Sequence, residues 1–266
     1  MFDELTASVA AALGDLGHSC TAAVNQFRPG AINILIGASL FAARDLGLAL
    51  HLAGQPYILY QLEQLDDRHG LLPDWPEYRE LMANAMQIWD YGPSSSAWLR
   101  ARGLTVTTVP PGYHPCLETM PPAPKQDLDI VFAGTPHPRR DRIIEALKRT
   151  NASVVHLHGV YGAQRNHALS RARIVLNVHA WDGLAVLETV RLSFVLANRR
   201  FVVSEKGDHD PYDGGVIYAR YDDLVDTCLH HLRQSPERRA MFVERAYQAL
   251  RAQSLAEMLR PLVGAA

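Results

Sequence analysis

Residue types that could hold an anionic ligand stand together in the segment NVHAWDGLAVLETVR, residues 177–191. The spacing predicts a helix that begins near Gly183 and Leu184, whose backbone amides would face a ligand. On that helix Glu188 and Arg191 lie three residues apart and therefore share a face. Two interpretations fit this pair: Glu188 accepts hydrogen bonds from a sugar diol, or the two side chains form an ion pair that only holds the helix in place. The remaining candidates of the segment are Asn177, His179 and Asp182.

A second candidate segment is GTPHPRR, which follows the apolar run LDIVFA. A turn at Gly134 and Thr135 after a strand would expose backbone N–H groups, and a helix start would add its positive end. Arg139 and Arg140 could offer forked donors to a diphosphate, with His137 in the same segment. The alternative is that both arginines belong to a solvated first turn. Because arginine at a helix N-terminus opposes the helix dipole, the pattern favours an anionic partner.

Polar or glycine residues also follow other strand-like runs of the sequence. In the second half these are His158, Gly159, Val160, Tyr161 and Glu205, and in the first half Glu63 and Asp90. Loops are polar in any protein, so a single such residue carries little weight. Several of them at the ends of parallel strands would lie on one sheet edge, which is where open α/β sheets bind ligands.

The elements that must position these residues alternate along the chain. Apolar β-rich runs such as INILIGAS, PYILYQLEQL and LDIVFAG are separated by helical patterns. The individual predictions include a helix over 4–16, a strand over 18–27, a helix over 41–54 and a helix over 184–198. The segment 110–127 contains six prolines and is predicted to be a stiff connector. This order predicts two α/β units with parallel sheets, whose strand ends face each other across a cleft.

Composition limits the class of protein. The chain has 266 residues, of which 48% are hydrophobic and 20% are charged, as in ordinary globular proteins. A net charge of −2 gives no overall field for nucleic acid, so we expect no nucleic-acid partner. The three cysteines are far apart, which favours a reducing compartment. No run reaches the roughly 18 apolar residues of a membrane helix, and the N-terminus lacks a basic region, so we expect a soluble, cytoplasmic protein without an integral membrane segment.

Cofactor motifs are not recognisable in this sequence. It contains neither GxGxxG nor a Walker A pattern, the usual fingerprints of dinucleotide and ATP sites. His156 and His158 would point to opposite faces of a strand, and DHDPYDGG lacks the spacing of a calcium loop. We therefore expect no resident cofactor and no metal.

The sequence resembles the GT-B glycosyltransferases related to glycosyltransferase families 1 and 4. The resemblance rests on the order of four segments and on the turn residues that separate their strand-like and helix-like parts. The segments are IVFAGTPHPRRDRIIEALK, VVHLHGVYG, ARIVLNVHAWDGLAVLETVRLSFVLANRRFVVSE and GGVIYARYDDLVDTCLHHL. In the first half, QIWDYGPSSSAWLRARGLTVTTVPPGYHP is similar to the end of the N-terminal domain of these enzymes. The similarity covers about residues 85–250 well and the first 80 residues weakly.

This resemblance implies two Rossmann-like domains and a nucleotide sugar as co-substrate. It implies an acceptor domain over 1–115, reduced in size, a donor domain over 125–250, and a C-terminal helix in 251–266 that packs back on the first domain. Glu188 would hold the ribose, and Gly134 and Thr135 would face the phosphates with Arg139 or Arg140. The strand end His158–Tyr161 would lie near the base.

The catalytic residues are expected in the first unit. Glu63 and Asp90 are the candidates for the group that deprotonates an acceptor hydroxyl, which would be a glycan, a small molecule or a protein. Glu63 fits equally well as an ordinary loop carboxylate, and Asp90 as a cap of the next helix. Retaining members often carry a second Glu eight residues before the helix carboxylate, where this chain has Ala180, so the stereochemical outcome stays open.

Two other functions fit the same pattern. One is a binding module that keeps the fold without catalysis, and the other is a sugar-nucleotide epimerase of the same architecture. The sequence also leaves the oligomeric state open, since a homo-oligomer and a partner subunit are both compatible with it.

Overall fold

The computed structural model describes residues 2–38, 54–65, 76–123, 125–183 and 186–264. The chain divides into two compact units, which are described separately. The N-terminal unit comprises Phe2–Gly112 together with Leu255–Ala266, and the C-terminal unit comprises Tyr113–Ser254. Both units are built on parallel sheets flanked by helices, which confirms the predicted α/β fold with two parallel sheets.

The described residues of the N-terminal unit form a four-stranded parallel sheet in the order β1-β2-β3-β4. Its strands are β1 (Asn33–Ile36), β2 (Tyr57–Gln61), β3 (Gln87–Asp90) and β4 (Val106–Thr108). Its described helices are α1 (Asp3–Asp15), α2 (Pro76–Ala83), α3 (Pro93–Arg100) and, from the C-terminus of the chain, α9 (Leu255–Val263). The predicted apolar face of the first helix is confirmed, because Leu5, Val9 and Leu13 are buried, and α1 packs against α9.

The C-terminal unit contains a five-stranded parallel sheet in the order β6-β5-β7-β8-β9. Its strands are β5 (Leu128–Ala133), β6 (Val154–Leu157), β7 (Ala172–Asn177), β8 (Val202–Glu205) and β9 (Ile217–Ala219). Its helices are α4 (Pro138–Lys148), α5 (Gly162–Arg171), α6 (Thr189–Ala197), α7 (Leu224–Leu232) and α8 (Pro236–Arg251). Short 3₁₀ turns occur at Pro115–Leu117 and Tyr221–Asp223.

The C-terminal sheet is buried on both faces, which explains its continuous apolar strands. Along β5 the side chains alternate: Ile130 and Phe132 pack with α4 and α7 on one face, while Val131 packs with α6 and α8 on the other. Val175 and Ile174 of β7 divide between the two faces in the same way. The sheet therefore holds the carboxyl ends of β5, β7 and β8 at fixed positions.

The strand order creates a topological switch point. From β5 the chain passes to β6 on one side, and afterwards to β7 on the other side of β5. Helices that follow β5 and β7 must therefore leave on opposite faces, and a crevice forms between the carboxyl ends of these two strands. Residues that follow β5 and β7 are the ones that line this crevice.

Two of the individual predictions differ from the structure. Residues 18–27 were predicted as a strand, but they contain none; Asn25 has a positive φ of 52°, and the segment is mostly exposed. The helix predicted over 184–198 begins only at Thr189, because Val186 and Leu187 extend before it to place their side chains in the core. The helix predicted over 41–54 lies outside the described residues except for Gly54. Among the helices that the structure describes, none has the length and apolar character needed to cross a membrane.

One glycine of the C-terminal unit is required by a close approach of two segments. A Cβ atom on Gly215 would lie 2.2 Å from the backbone nitrogen of Ala246 in α8. We expect Gly215→Ala to lower the free energy of unfolding by at least about 2 kcal/mol, because backbone atoms have to move apart. Urea unfolding followed by circular dichroism measures this.

Gly14 provides the control for Gly215→Ala, because the same substitution at Gly14 should have the opposite effect on stability. It lies within α1, and a Cβ atom there would meet no atom within 4 Å. Gly14→Ala should raise the stability by up to about 1 kcal/mol, since alanine loses less backbone entropy in a helix. Equal effects of the two substitutions would contradict the close packing described at Gly215.

Candidate functional site

The buried polar groups of the C-terminal unit concentrate at the carboxyl ends of β5, β7 and β8. Asn177 ends β7, Glu205 ends β8, and His179 follows β7 by two residues; all three are buried. Arg139 and Arg140, which begin α4 after β5, are buried as well. Burying charged groups is unfavourable unless each has a partner, so the pairing of these side chains determines what the site can do.

The strongest pairing is between Arg139 and Glu205. Nη1 and Nη2 of Arg139 donate to the two carboxylate oxygens of Glu205 at 2.6 and 2.5 Å, in a bidentate arrangement. Oε2 of Glu205 also accepts from the backbone N–H of His179, and Nη1 of Arg139 donates to the carbonyl oxygen of His179. The guanidinium lies over the ring of Tyr221 at 3.9 Å. Burial opposes the charge of Arg139, but its bonds to Glu205 outweigh burial and raise its pKa.

This pairing corrects the prediction for Arg139. The side chain was expected to meet a diphosphate or to be solvated, but it is bonded to Glu205 and fixes the loop after β7 to the start of α4. Glu205 was noted as a strand-end residue and given no role. A carboxylate that ends the apolar run RFVVS needed a buried cationic partner, but the sequence does not say which one.

Glu188 lies at the start of α6, as its N-cap residue, and not inside the helix as predicted. Its side chain makes no capping hydrogen bond to α6. Instead, Oε2 accepts a hydrogen bond from Nδ2 of Asn177 at 2.9 Å, and Oε1 lies 3.8 Å from Nη2 of Arg140. The side chain is 14% exposed, so the carboxylate has limited access to solvent.

The carboxylate of Glu188 is strongly held in its ionised form. Burial alone would raise its pKa, but contact with His179, the charge of Arg191 and the hydrogen bond from Asn177 outweigh burial and lower that pKa to about 2. The position at the positive end of α6 acts in the same direction. A permanent negative charge is thus kept in a largely dry environment.

His179 is the closest cationic group to this carboxylate, and only 1% of its surface is exposed. Nδ1 lies 2.9 Å from Oε2 of Glu188, outside the alignment of a regular hydrogen bond, and the contact is an ion pair when the ring is protonated. Nε2 lies 3.2 Å from the carbonyl oxygen of Lys206. Burial opposes the charged ring, but Glu188, Glu205 and this carbonyl outweigh it and raise the pKa of His179. His179 was predicted to touch the ligand, but it is buried behind Glu188.

Asn177 links Glu188 to Arg191. Its amide nitrogen donates to Glu188 and to Oγ of Ser204, and its Oδ1 accepts from Nη1 of Arg191 at 2.6 Å. Arg191 was predicted to share a helix face with Glu188, and its backbone N–H does donate to the carbonyl oxygen of Glu188. Its guanidinium reaches the end of β5, where it lies 5.6 Å from the centre of the Phe132 ring.

Arg140 is less fully neutralised than Arg139. It donates to the carbonyl oxygens of Val178 and Thr135, at 2.9 and 3.1 Å, and its nearest carboxylate is Glu188 at 3.8 Å. Burial, followed by repulsion from Arg191, lowers the pKa of Arg140 to about 10. An anion near this guanidinium would relieve both effects.

The charges around the switch point do not cancel. The guanidinium groups of Arg139, Arg140 and Arg191 face the carboxylates of Glu188 and Glu205, and His179 adds further positive charge when protonated. Asp182 lies 3.8 Å from Arg139, but its side chain is almost fully exposed and therefore well screened. The crevice between β5 and β7 thus has a positive excess suited to an anion.

The turn after β5 differs from the prediction in its hydrogen bonds. The N–H of Gly134 donates to the carbonyl oxygen of Leu157, so it is not available to a phosphate as expected. A Cβ atom at Gly134 would lie 2.8 Å from Cζ of Phe132 and 3.4 Å from Nη2 of Arg191, so glycine is needed here for close packing. Thr135 is exposed, and its carbonyl oxygen accepts from Arg140.

His137 and Trp181 meet at the mouth of the crevice. His137 is the N-cap of α4, and its Nδ1 accepts from the N–H of Arg139, which uses one of the amides expected to face a ligand. The His137 ring packs edge-on against Trp181, with 4.6 Å between ring centres, and Trp181 is half-exposed. Trp181 was not predicted as a site residue, because nothing in the sequence distinguishes it from a core tryptophan.

Three other predicted groups can now be placed. Gly183 lies in a turn with φ of 76°, six residues before α6, so the predicted helix start there is wrong, and Leu184 lies outside the described residues. The residues at the end of β6 lie at the same sheet edge as Gly134, one strand further out, and Tyr161 is half-exposed as the N-cap of α5. The members of that set are His158, Gly159, Val160 and Tyr161.

The two catalytic candidates lie at the carboxyl ends of neighbouring strands in the N-terminal unit. Asp90 ends β3 and is fully buried; its Oδ2 accepts from the hydroxyls of Ser95 and Ser96 at 2.6 and 2.7 Å. These hydrogen bonds lower the pKa of Asp90, but burial outweighs them and raises it to about 6. The N-cap of α3 is Gly92, so Asp90 is not the predicted cap. Its carboxylate instead secures the first turn of α3 by accepting hydrogen bonds from the hydroxyls of Ser95 and Ser96.

Glu63 is the more accessible of the two candidates. It follows β2 and is partly buried, and its backbone N–H and carbonyl are both bonded to the side chain of Gln61, at 2.9 and 2.6 Å. Gln61 in turn accepts from the hydroxyl of Tyr78. This arrangement fixes the backbone at Glu63.

Comparisons with known proteins give relatives of unknown function. No protein-family model matches the chain. The chain is similar to two uncharacterized proteins of Acanthamoeba polyphaga mimivirus, L140 with 30% identity over 115 residues and R358 with 31% over 107 residues. The aligned parts cover 41% and 38% of this chain, and in both cases only 38% of the relative.

The solved structures most informative for the fold are those of glycosyltransferases. Anabaena Alr3699/HepE in complex with UDP-glucose has a TM-score of 0.60 at 11% identity, covering 83% of this chain and 74% of that one. The α,α-trehalose 6-phosphate synthase of Burkholderia multivorans has a TM-score of 0.60 at 12% identity, covering 98% and 73%. A putative UDP-N-acetylglucosamine 2-epimerase of Listeria monocytogenes has a TM-score of 0.52 at 10% identity, covering 98% and 77%. The chain has the GT-B fold.

The Arg139–Glu205 pair should be essential for the stability of the C-terminal unit. Glu205→Ala leaves a buried guanidinium without its carboxylate, so we expect the free energy of unfolding to fall by about 3–5 kcal/mol. Glu145→Ala is the matched control, because Glu145 pairs with Lys148 on the surface and should change stability by less than about 1 kcal/mol. Urea unfolding compares the two variants, and a loss below about 1 kcal/mol for Glu205→Ala would contradict the described pairing.

Asp90 should make the stability of the N-terminal unit depend on pH. Its pKa in the folded state is raised, so its contribution is fully present below about 3.8 and is lost as the pH rises through about 6. Relative to Asp90→Asn, the wild type should therefore lose up to about 3 kcal/mol between pH 4 and pH 7.5. Thermal unfolding across this range measures the difference.

Glu257→Gln is the control for this experiment in the same unit. Glu257 is exposed in α9 and pairs with Arg260, so the variant should follow the pH profile of the wild type. Parallel profiles of the wild type and Asp90→Asn would show that Asp90 does not titrate as its burial requires.

Proposed function

We propose that the protein is a glycosyltransferase that moves a sugar from a nucleotide-activated donor to an acceptor hydroxyl. The C-terminal unit binds the donor at the switch point between β5 and β7. The acceptor is a glycan, a small molecule or a protein, and the donor is a co-substrate that needs no metal ion or other cofactor in this proposal.

The observation that carries this proposal is the ionised carboxylate of Glu188 within a buried positive cluster. A nucleotide sugar combines an anionic diphosphate with vicinal hydroxyls, and the crevice combines excess positive charge with a hydrogen-bond acceptor. Oε2 of Glu188 is occupied by Asn177 and His179, whereas the charged group nearest to Oε1 in the described part of the chain is Arg140 at 3.8 Å. Oε1 is the oxygen that accepts from a ribose hydroxyl.

Arg140 and Arg191 are the proposed partners of the diphosphate. Arg139 is saturated by Glu205 and does not contribute directly. Arg140 gains most from an anion, since repulsion from Arg191 acts on it in the dry crevice. Both guanidinium groups would stabilise the charge that develops on the diphosphate as the sugar leaves. Tyr161 and the end of β6 would lie near the base.

In the transfer step, the acceptor oxygen forms a bond to the anomeric carbon of the donor, and the bond from that carbon to the diphosphate oxygen breaks. The acceptor proton passes to a base, for which Glu63 is the proposed residue. Asp90 is unsuited to this role because it is fully buried and bonded to Ser95 and Ser96. With Ala180 at the position of a second Glu, the proposal leaves retention and inversion equally open.

A binding module without catalytic activity is the second candidate. The burial of Asp90 favours it, because only Glu63 then remains of the two predicted acid–base residues. Such a protein would bind nucleotide sugars through the same cluster at Glu188 without cleaving them. The similarity to the epimerase concerns the fold alone, and no residue of this site favours epimerisation.

The test of the proposed function is a panel of donors. Binding of UDP, GDP and dTDP by isothermal titration calorimetry identifies the nucleotide, and release of that nucleotide from its sugar conjugates measures turnover with and without acceptors. Binding with turnover supports a transferase, and binding without any turnover supports the second candidate. Failure of every nucleotide to bind would contradict both.

Two substitutions should separate donor binding from catalysis. Glu188→Gln removes the charge, so we expect nucleotide affinity to fall about 10- to 100-fold, the range of a charge-assisted hydrogen bond. Glu63→Gln should leave nucleotide affinity unchanged and reduce transfer at least about 100-fold. Calorimetry and the turnover assay measure both quantities.

Glu145→Gln is the control for Glu188→Gln, since it removes an exposed carboxylate of the same unit. It should bind and turn over as the wild type does. Unchanged nucleotide affinity in Glu188→Gln, with circular dichroism showing a folded protein, would exclude Glu188 from the donor site.

A further inference from the structure

The burial of His179 limits how this residue can act on a ligand in the crevice. Only 1% of its surface is exposed, so a ligand in the crevice does not reach it. Its backbone is fixed at both ends, since its N–H donates to Glu205 and its carbonyl oxygen accepts from Arg139. Among the described residues, the acidic side chain that contacts its ring is Glu188. Apart from the positive charge that the protonated ring adds to the crevice, an effect of His179 on a ligand therefore passes through Glu188.

Both ring nitrogens of His179 face acceptors. Nε2 lies 3.2 Å from the carbonyl oxygen of Lys206, and Nδ1 lies 2.9 Å from Oε2 of Glu188. A neutral imidazole carries one N–H, so it would turn a lone pair toward one of these oxygens. The imidazolium satisfies both. Because the Nδ1 contact lacks good hydrogen-bond alignment, its strength depends on the charge of the ring more than on the direction of the N–H bond.

The carboxylate of Glu188 needs such a partner to keep its orientation. Asn177 and His179 both act on Oε2, and this leaves Oε1 toward Arg140 and the crevice. Glu188 does not use its side chain to cap α6, so no bond to its own helix restrains the carboxylate. Without the charged ring, the carboxylate keeps the hydrogen bond from Asn177 and the more distant charge of Arg140.

We infer that His179 is a positioning residue, whose charged ring aims Oε1 of Glu188 at the ligand and thereby makes nucleotide affinity depend on pH. The inference rests on the proposed function, because it needs a nucleotide in the crevice. Affinity should be highest where His179 is protonated and should decrease as the pH rises above its raised pKa.

The charged groups around His179 define the pH range of the test. These groups are Glu188 at the start of α6, Glu205 and Lys206 at the end of β8, Arg139 and Arg140 at the start of α4, Arg191 in α6, and Asp182 in the loop between β7 and α6. Arg140 has a pKa of about 10, which sets the upper limit near pH 9. The terminal phosphate of a nucleoside diphosphate titrates near pH 6, so the range begins at about pH 7.

The experiment measures UDP binding by calorimetry between pH 7 and pH 9 for four proteins, all as full chains. The wild type should lose affinity as the pH rises through the raised pKa of His179, by up to about tenfold, the lower end expected for a charge-assisted contact. His179→Phe keeps a ring of similar size without donors; it should bind about tenfold more weakly at pH 7 and show little further loss up to pH 9. His179→Gln, which keeps an N–H donor without a titratable charge, should also give a flat profile, with part of the affinity restored.

His231→Phe is the matched control. His231 is a buried histidine of α7 that packs against Phe201 and Phe242, away from the residues of the site. This variant should reproduce the affinity and the pH profile of the wild type. If His231→Phe also lost the pH dependence of UDP affinity, the loss in the His179 variants would result from general destabilisation, and the inference would be overturned.

The outcomes separate this inference from the proposed function. A wild type whose UDP affinity is constant from pH 7 to pH 9 overturns the role of His179, and this result requires no variant to fold. The inference also fails if His179→Phe binds UDP as tightly as the wild type with the same profile. A wild type that binds none of UDP, GDP and dTDP at any pH contradicts the proposed function, and the inference with it.

Discussion

A buried carboxylate stays ionised only where positive charge and hydrogen-bond donors surround it, and this requirement organises the edge of the C-terminal sheet. Glu188 meets it through His179, Asn177 and the guanidinium groups of Arg140 and Arg191. These partners come from three different segments, which the sheet brings together because β5 and β7 are neighbours. The crevice at their carboxyl ends is therefore both a structural junction and a charged site.

The Arg139–Glu205 pair makes that junction rigid. It ties the start of α4 to the end of β8, and its bonds to the backbone of His179 hold the loop after β7 between them. With Arg139 paired to Glu205, the carboxylate nearest to Arg140 in the described structure is Glu188 at 3.8 Å, while Arg191 donates to Asn177. The arginines of the site thus divide into two kinds: Arg139 secures the scaffold, and Arg140 and Arg191 place positive charge near Glu188, where burial makes electrostatic interactions stronger than in water.

Sequence patterns were sufficient for the fold and for the neighbourhood of the site, because parallel strands buried on both faces leave long apolar runs and must end at a common edge. They were insufficient to predict which buried charged side chains pair with each other. Arg139 and Glu205 are 66 residues apart, and nothing local to either predicts its partner. The start of α6 was misplaced because Val186 and Leu187 are apolar in a helix and in an extended segment alike. The strand predicted over 18–27 failed because residues 19–26 are exposed, and only Phe27 at the end of the segment packs against the core.

The other proposed roles depend on binding of a nucleoside diphosphate in the crevice between β5 and β7, through the cluster around Glu188. A crystal structure of the protein grown with UDP tests it most directly. The account predicts the diphosphate within hydrogen-bond distance of Arg140 or Arg191, and a ribose hydroxyl within about 3 Å of Oε1 of Glu188. UDP bound elsewhere, or a diphosphate that breaks the Arg139–Glu205 pair to reach Arg139, would contradict it.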